Sequence, residues 1–139
     1  MVYIIVGEKG KGKTKVLLDK ANGSLADAKG NVVYLDKSNK HMYELSNKIR
    51  LINVKEFMID NKDEFLGFLC GIISQDNDLE CVFLDSFLKV ACIEATDIEP
   101  VIAKLNAVSE KFNIDFVLSV SMNSADVPES MKNQIMVAL

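Results

Sequence analysis

At 139 residues, the chain has room for one domain with a proper core and little to spare for an elaborate enzyme. Its formal net charge of −4 argues against a global basic field of the kind that gathers nucleic acid. Hydrophobic residues at 49%, aromatics at 7% and no Trp describe an α/β core rich in Val, Ile and Leu.

Val2 to Val6 is a short apolar run suited to a strand buried on both faces. The stretch GEKGKGKT follows, and from Gly7 its spacing is Gly7-x-x-x-x-Gly12-Lys13-Thr14, the full phosphate-binding loop pattern. Gly7, Gly10 and Gly12 allow the loop amides to turn inward at the start of a helix, where unpaired N–H groups and the helix dipole favour an anion. Lys13 can reach terminal phosphates, and the Thr14 hydroxyl can ligate Mg²⁺. The candidate nucleotide-binding residues are therefore Gly7, Glu8, Lys9, Gly10, Lys11, Gly12, Lys13 and Thr14. Val16, Leu17 and Leu18 continue as a helix that should end near Asn22-Gly23.

The polar stretch from Gly23 leads into VVYLD, Val32 to Asp36, a second buried strand. Lys37 to Lys48 is polar, helical or irregular, and Ile49 to Val54 reads as a third, shorter strand. From Asp63, the positions Phe65, Leu66, Leu69, Cys70, Ile72 and Ile73 follow a helical stripe. CVFLDSF, Cys81 to Phe87, is four apolar residues ending in an acid. Thr96-x-x-Glu99 has the form of a capping box, with Pro100 in the first turn and a stripe of Ile102, Leu105, Val108 and Phe112 behind it. Phe116 to Val120 is a fifth strand, and Pro128 is expected to start a final amphipathic helix ending in IMVAL. This alternation predicts a three-layer α/β domain over residues 1–139, with a mainly parallel five-stranded sheet and right-handed crossovers.

Asp85 closes the strand VFLD, at the carboxyl edge where open α/β sheets bind ligands. A phosphate-loop protein needs an acid there to hold the Mg²⁺ hydration shell, so Thr14 and Asp85 are the candidate metal residues. Cys70, Cys81 and Cys92 are odd in number and widely spaced, which reads as buried reduced thiols. The five-residue apolar start, with no basic flank before it, is neither a signal peptide nor a membrane span, so a cytoplasmic protein is expected.

These motifs, GEKGKGKT, VVYLDKS, VFLDSF and DFVLSVS, give the chain a resemblance to a minimal RecA-like P-loop ATPase. The resemblance runs from Val2 to Ser121 and is to the division with an extra strand between those of the phosphate loop (Walker A) and of Walker B. It is also similar to short bacterial ATP-binding proteins that share HMYEL-like and VKEF-like stretches. The resemblance implies ATP and Mg²⁺ as ligands. RecA-like ATPases usually place a catalytic glutamate two residues past the acid of the second strand, and that position is Ser38. Related ATPases put it directly after the Walker B acid, where this chain has Ser86. The catalytic group thus stays unassigned, with Glu8, Asp36, Glu44 and His41 as substitutes, and hydrolysis is expected to be slow or dependent on a partner. The DNA-binding loops of recombinases are missing, so nucleic acid is not an expected partner.

The alternative is a small-molecule or nucleotide kinase, but such kinases close several arginines over the transferred group, and Arg50 is the only arginine here. A third reading is a nucleotide-responsive switch or scaffold. The apolar tail is compatible with a homo-oligomer or a protein partner.

Overall fold

Six strands pair into one sheet. A computed structural model describes residues 1–139. It contains β1 (Val2–Gly7), β2 (Asn31–Asp36), β3 (Arg50–Asn53), β4 (Leu79–Leu84), β5 (Asp115–Ser121) and β6 (Ile135–Ala138). Their order is β3-β2-β4-β5-β1-β6, and every neighbouring pair is parallel. β5 thus separates the strand that feeds the Gly7–Thr14 loop from the strand that leads to Asp85.

A parallel sheet covered on both faces buries successive residues rather than alternate ones. That is why Ile4 to Val6, Val32 to Leu35, Val82 to Leu84 and Phe116 to Leu118 are continuously buried. On one face, α1 (Lys13–Ser24) lays Leu17, Leu18 and Ala21 over Ile5, Tyr34 and Phe83. On the other, α2 (Lys62–Ser74), α3 (Phe87–Val90) and α4 (Ile98–Phe112) bury Phe65, Leu69, Phe87, Val101 and Leu105. That second core holds 27 buried residues against 10 under α1. At roughly 1.5–3 kcal/mol for each fully buried large apolar side chain, the α2–α4 face dominates stability. The α1 face is left lighter.

The sequence reading needs three corrections. The sheet has six strands rather than five, because the stretch after Pro128 is no amphipathic helix. Glu129–Gln134 forms 3-10 turns, and Ile135–Ala138 joins β1 as β6. IMVAL is too short to build a helix of its own, while the open edge of β1 offers a ladder. Ile135 and Val137 are half-buried there, with Met136 and Ala138 exposed. Nor does Thr96 cap a helix: a 3-10 turn spans Ala95–Asp97, α4 starts at Ile98, and no side chain caps it. The working cap is on α2, where Asn61 accepts from the Glu64 amide at 2.9 Å and the Glu64 carboxylate accepts from the Asp60 amide at 2.7 Å. In the α4 stripe, Phe112 is 49% exposed, with Lys111 Nζ 5.5 Å from its ring centroid. The three cysteines are free but half-buried rather than fully buried. No helix is long and apolar enough to cross a membrane.

Candidate functional site

β1 delivers the chain to Gly7 at the carboxyl edge, and α1 leaves from Lys13. The turn between them needs two left-handed residues, Gly10 at φ 87° and Gly12 at φ 91°. A side chain would be strained at either, which explains glycine at both. The turn keeps its amides free: Lys11 donates to the Glu8 carbonyl at 3.3 Å, while those of Gly10, Gly12, Lys13 and Thr14 have no partner in the chain. Lys13 is 8% exposed, and its Nζ donates to the Glu8 carbonyl at 3.1 Å. Burial lowers its pKa, and the charge of Asp85 works against that shift.

Asp85 sits one residue past the end of β4 and is 2% exposed. Its Oδ1 accepts from Ser119 Oγ at 2.7 Å, from the Ser86 amide at 2.9 Å and from Thr14 Oγ1 at 3.2 Å. Its Oδ2 accepts from Tyr34 OH at 2.9 Å. The Thr14 bond ties the first turn of α1 to the β4 edge, so the loop and the acid face a common space. The Tyr34 hydroxyl is held protonated, its pKa driven far up by burial, then by the charge of Asp85 and the bond to it. Ser86 takes a left-handed conformation at φ 51° directly after the acid.

The substitute carboxylates divide into two places. Asp36 closes β2 beside Asp85 and is 2% exposed. Its Oδ1 accepts from the Lys37 amide at 2.7 Å, and its Oδ2 has no partner. Desolvation, followed by the charge of Asp85, raises the Asp36 pKa. His41 comes close to both acids, and its Nδ1 lies 3.1 Å from Glu44 Oε1. Glu8 turns elsewhere, accepting from Asn123 Nδ2 at 3.0 Å. Ser38 is half-buried, its Oγ accepting from the Lys40 amide at 3.3 Å.

Between the loop and the β4 edge lies a cleft of about 480 Å³, lined by Lys9, Gly12, Lys13, Thr14 and Asp85 among others. Lys37 and Lys89 also line it. The Lys37 ammonium close by, then the charge of Lys9, lower the Lys89 pKa. None of Lys9, Lys13, Lys37 and Lys89 is in an ion pair. Four ammonium groups crowd here with one buried carboxylate facing them, which is an arrangement that favours a polyanion. Arg50 opens β3 at the far edge of the sheet and lines a different cleft.

Among solved structures, the chain is similar to flagellar accessory protein FlaH from Methanocaldococcus jannaschii, with a TM-score of 0.59 over 93% of its length. The fold is RecA-like. At 15% identity the likeness is one of fold alone, and the chain spans 63% of the length of that protein. No family model matches the chain, and no curated protein matches its sequence. Within this RecA-like frame, sequence reasoning missed Tyr34 and Ser119, which hold Asp85 from either side. A signal existed: each is a polar residue inside an apolar strand run, two positions before the strand ends. With a period of two, those positions share a face with the strand-end residues of the site.

Proposed function

We propose that the chain binds ATP as its Mg²⁺ complex in the cleft between Gly7–Thr14 and Asp85, and that it turns ATP over slowly or only with a partner. The observation that carries this reading is the Thr14–Asp85 hydrogen bond in a cleft lined by four lysines. The free amides of Gly10, Gly12, Lys13 and Thr14 would receive the phosphates, and Lys13 would neutralise their terminal charge. The donor set of a hydroxyl and a carboxylate suits Mg²⁺, which would neutralise further phosphate charge, with Thr14 as ligand and Asp85 holding its waters. Lys37 and Lys89, which line the same cleft, would add positive charge beside the phosphates.

Slow turnover follows from Ser38 and Ser86 at the two positions where the resembling ATPases keep a carboxylate. The kinase reading is disfavoured by the position of Arg50, outside this cleft. Titration of labelled ATP and GTP, with and without Mg²⁺, tests the proposal. Lys13→Ala should weaken ATP binding about tenfold or more, since a charge-assisted contact is worth about 1.5–3 kcal/mol. Equal affinity of wild type and variant would reject the site. Turnover by the isolated protein should stay well below ~1 s⁻¹, and fast Lys13-dependent hydrolysis without a partner would reject that half of the reading.

A further inference from the structure

Two buried carboxylates stand side by side at the carboxyl edge, and the nucleotide reading uses one of them. Leu35 and Leu84 are register partners, and Asp36 and Asp85 each follow by one residue. Their side chains therefore leave the same face of the sheet. Asp85 has donors on both oxygens, whereas Asp36 Oδ2 has none although the residue is 2% exposed. A buried carboxylate oxygen without a donor, next to a second anion, is costly, and either a proton or a cation against it removes that cost.

His41 completes the group. One ring nitrogen and one oxygen from each of Asp36 and Asp85 lie within 4.8 Å of one another. Ligands bound to one ion at about 2.0–2.2 Å stand roughly 3–4 Å apart, so a small contraction would seat an ion among them. Glu44 Oε1 lies 3.1 Å from His41 Nδ1. A carboxylate on one ring nitrogen fixes the tautomer and frees the other nitrogen for a metal. The 3-10 turn at Met42–Glu44 brings Glu44 and His41 together, which gives that exposed segment a purpose.

We infer that Asp36, His41 and Asp85 form a binding site for a divalent transition-metal ion, and that this site fills without nucleotide. One imidazole with two carboxylates suits Mn²⁺, Fe²⁺ or Zn²⁺ better than Mg²⁺, which favours an all-oxygen shell. The site lies on the β2 side of Asp85, and no phosphate-loop residue contributes to it. Asp85 would then stand between two cation sites, with Thr14 on one side and His41 on the other.

His41 is the only histidine in the chain, so an imidazole signal can come from nowhere else. Mn²⁺ is the suitable probe, because it prefers oxygen and nitrogen donors to the three thiols. It is titrated by calorimetry into the full chain without nucleotide, and pulsed EPR then reads nitrogen coupling to the ion. The expected result is one saturable Mn²⁺ per chain with imidazole nitrogen coupling. His41→Ala should lose that coupling and weaken binding at least tenfold, while still binding ATP with Mg²⁺. Asp36→Asn should weaken Mn²⁺ at least tenfold and melt no lower than wild type. No saturable Mn²⁺ binding overturns the inference. Equal affinity in His41→Ala without nitrogen coupling also overturns it, and would assign the ion to Thr14 and Asp85 alone. Loss of ATP binding with Mn²⁺ binding intact would count against the nucleotide reading only.

Discussion

Tyr34→Phe removes a single oxygen and isolates what that oxygen does. The Tyr34 hydroxyl donates to Asp85 Oδ2 at 2.9 Å from a residue that is 0% exposed. The ring stays in place in the variant, because it stacks on Phe83 at 6.4 Å between centroids and Phe keeps that contact. What is lost is a hydrogen bond to a charged group, worth about 1.5–3 kcal/mol, and the carboxylate oxygen is left without its donor. At about 2.1 cal/mol/K of unfolding entropy per residue, a chain of this size shifts by roughly 3–4 °C for each kcal/mol. The expected fall in Tm is therefore about 5–10 °C by calorimetry, with an unchanged denaturant m-value. In an Asp85→Asn background the same change should cost half as much or less, because the acceptor is then neutral. A Tyr34→Phe variant melting within a degree of wild type would refute the reasoning, and would mean that Asp85 Oδ2 is satisfied by something else.

Three further predictions follow from glycine geometry and thiol burial. Gly12→Ala meets no atom within 4 Å but sits at φ 91°, so its cost is backbone strain alone, about 1–2 kcal/mol by urea denaturation. Gly30→Ala would put a Cβ 2.1 Å from the Asp78 carbonyl, which already accepts from the Asn31 amide at 2.7 Å. Backbone must move there, so the loss should exceed that at Gly12, and the reverse order would contradict the packing described. Burial, then the charges of Asp115 and Glu80, pushes the Cys81 thiol up to about 12. Because only the thiolate reacts, Cys81 should alkylate at pH 8 on the order of a hundredfold or more slower than a free thiol. Peptide mapping that finds Cys81 labelled as fast as a free thiol would refute it.

Much of the fold was legible because parallel strands buried on both faces leave continuous apolar runs. VYIIV, VVYLD, VFLD and FVLSV could be read directly, and so could the glycine turn from Gly7 to Thr14 between strand and helix, whose residues are contiguous. β6 was not legible. Five apolar residues after a proline fit a strand or a helix equally, and the deciding fact, the open edge of β1, lies more than a hundred residues away in sequence. The Thr96 cap failed for a related reason: a local pattern states a preference, and here the chain takes a 3-10 turn instead. The residues that hold Asp85 were hidden too. Tyr34 and Ser119 come from separate strands, and only the pairing of β2 and β5 with β4 brings them within reach. Asp36 and His41 were legible as candidates, but not as neighbours of Asp85.

The order of the strands also bears on how the chain assembles as it is made. β2, β3 and β4 can pair with one another once residue 85 has emerged, so Asp36 and Asp85 can meet early. β1 cannot join them, because its only neighbours in the sheet are β5, which starts at Asp115, and β6, which starts at Ile135. At ~5–20 residues per second of synthesis, VYIIV waits roughly 5–20 s with both edges open. The Gly7–Thr14 loop hangs from that waiting strand. The acids are thus assembled first and the loop is seated last, and during the interval an apolar strand is available to any chaperone or neighbouring nascent chain.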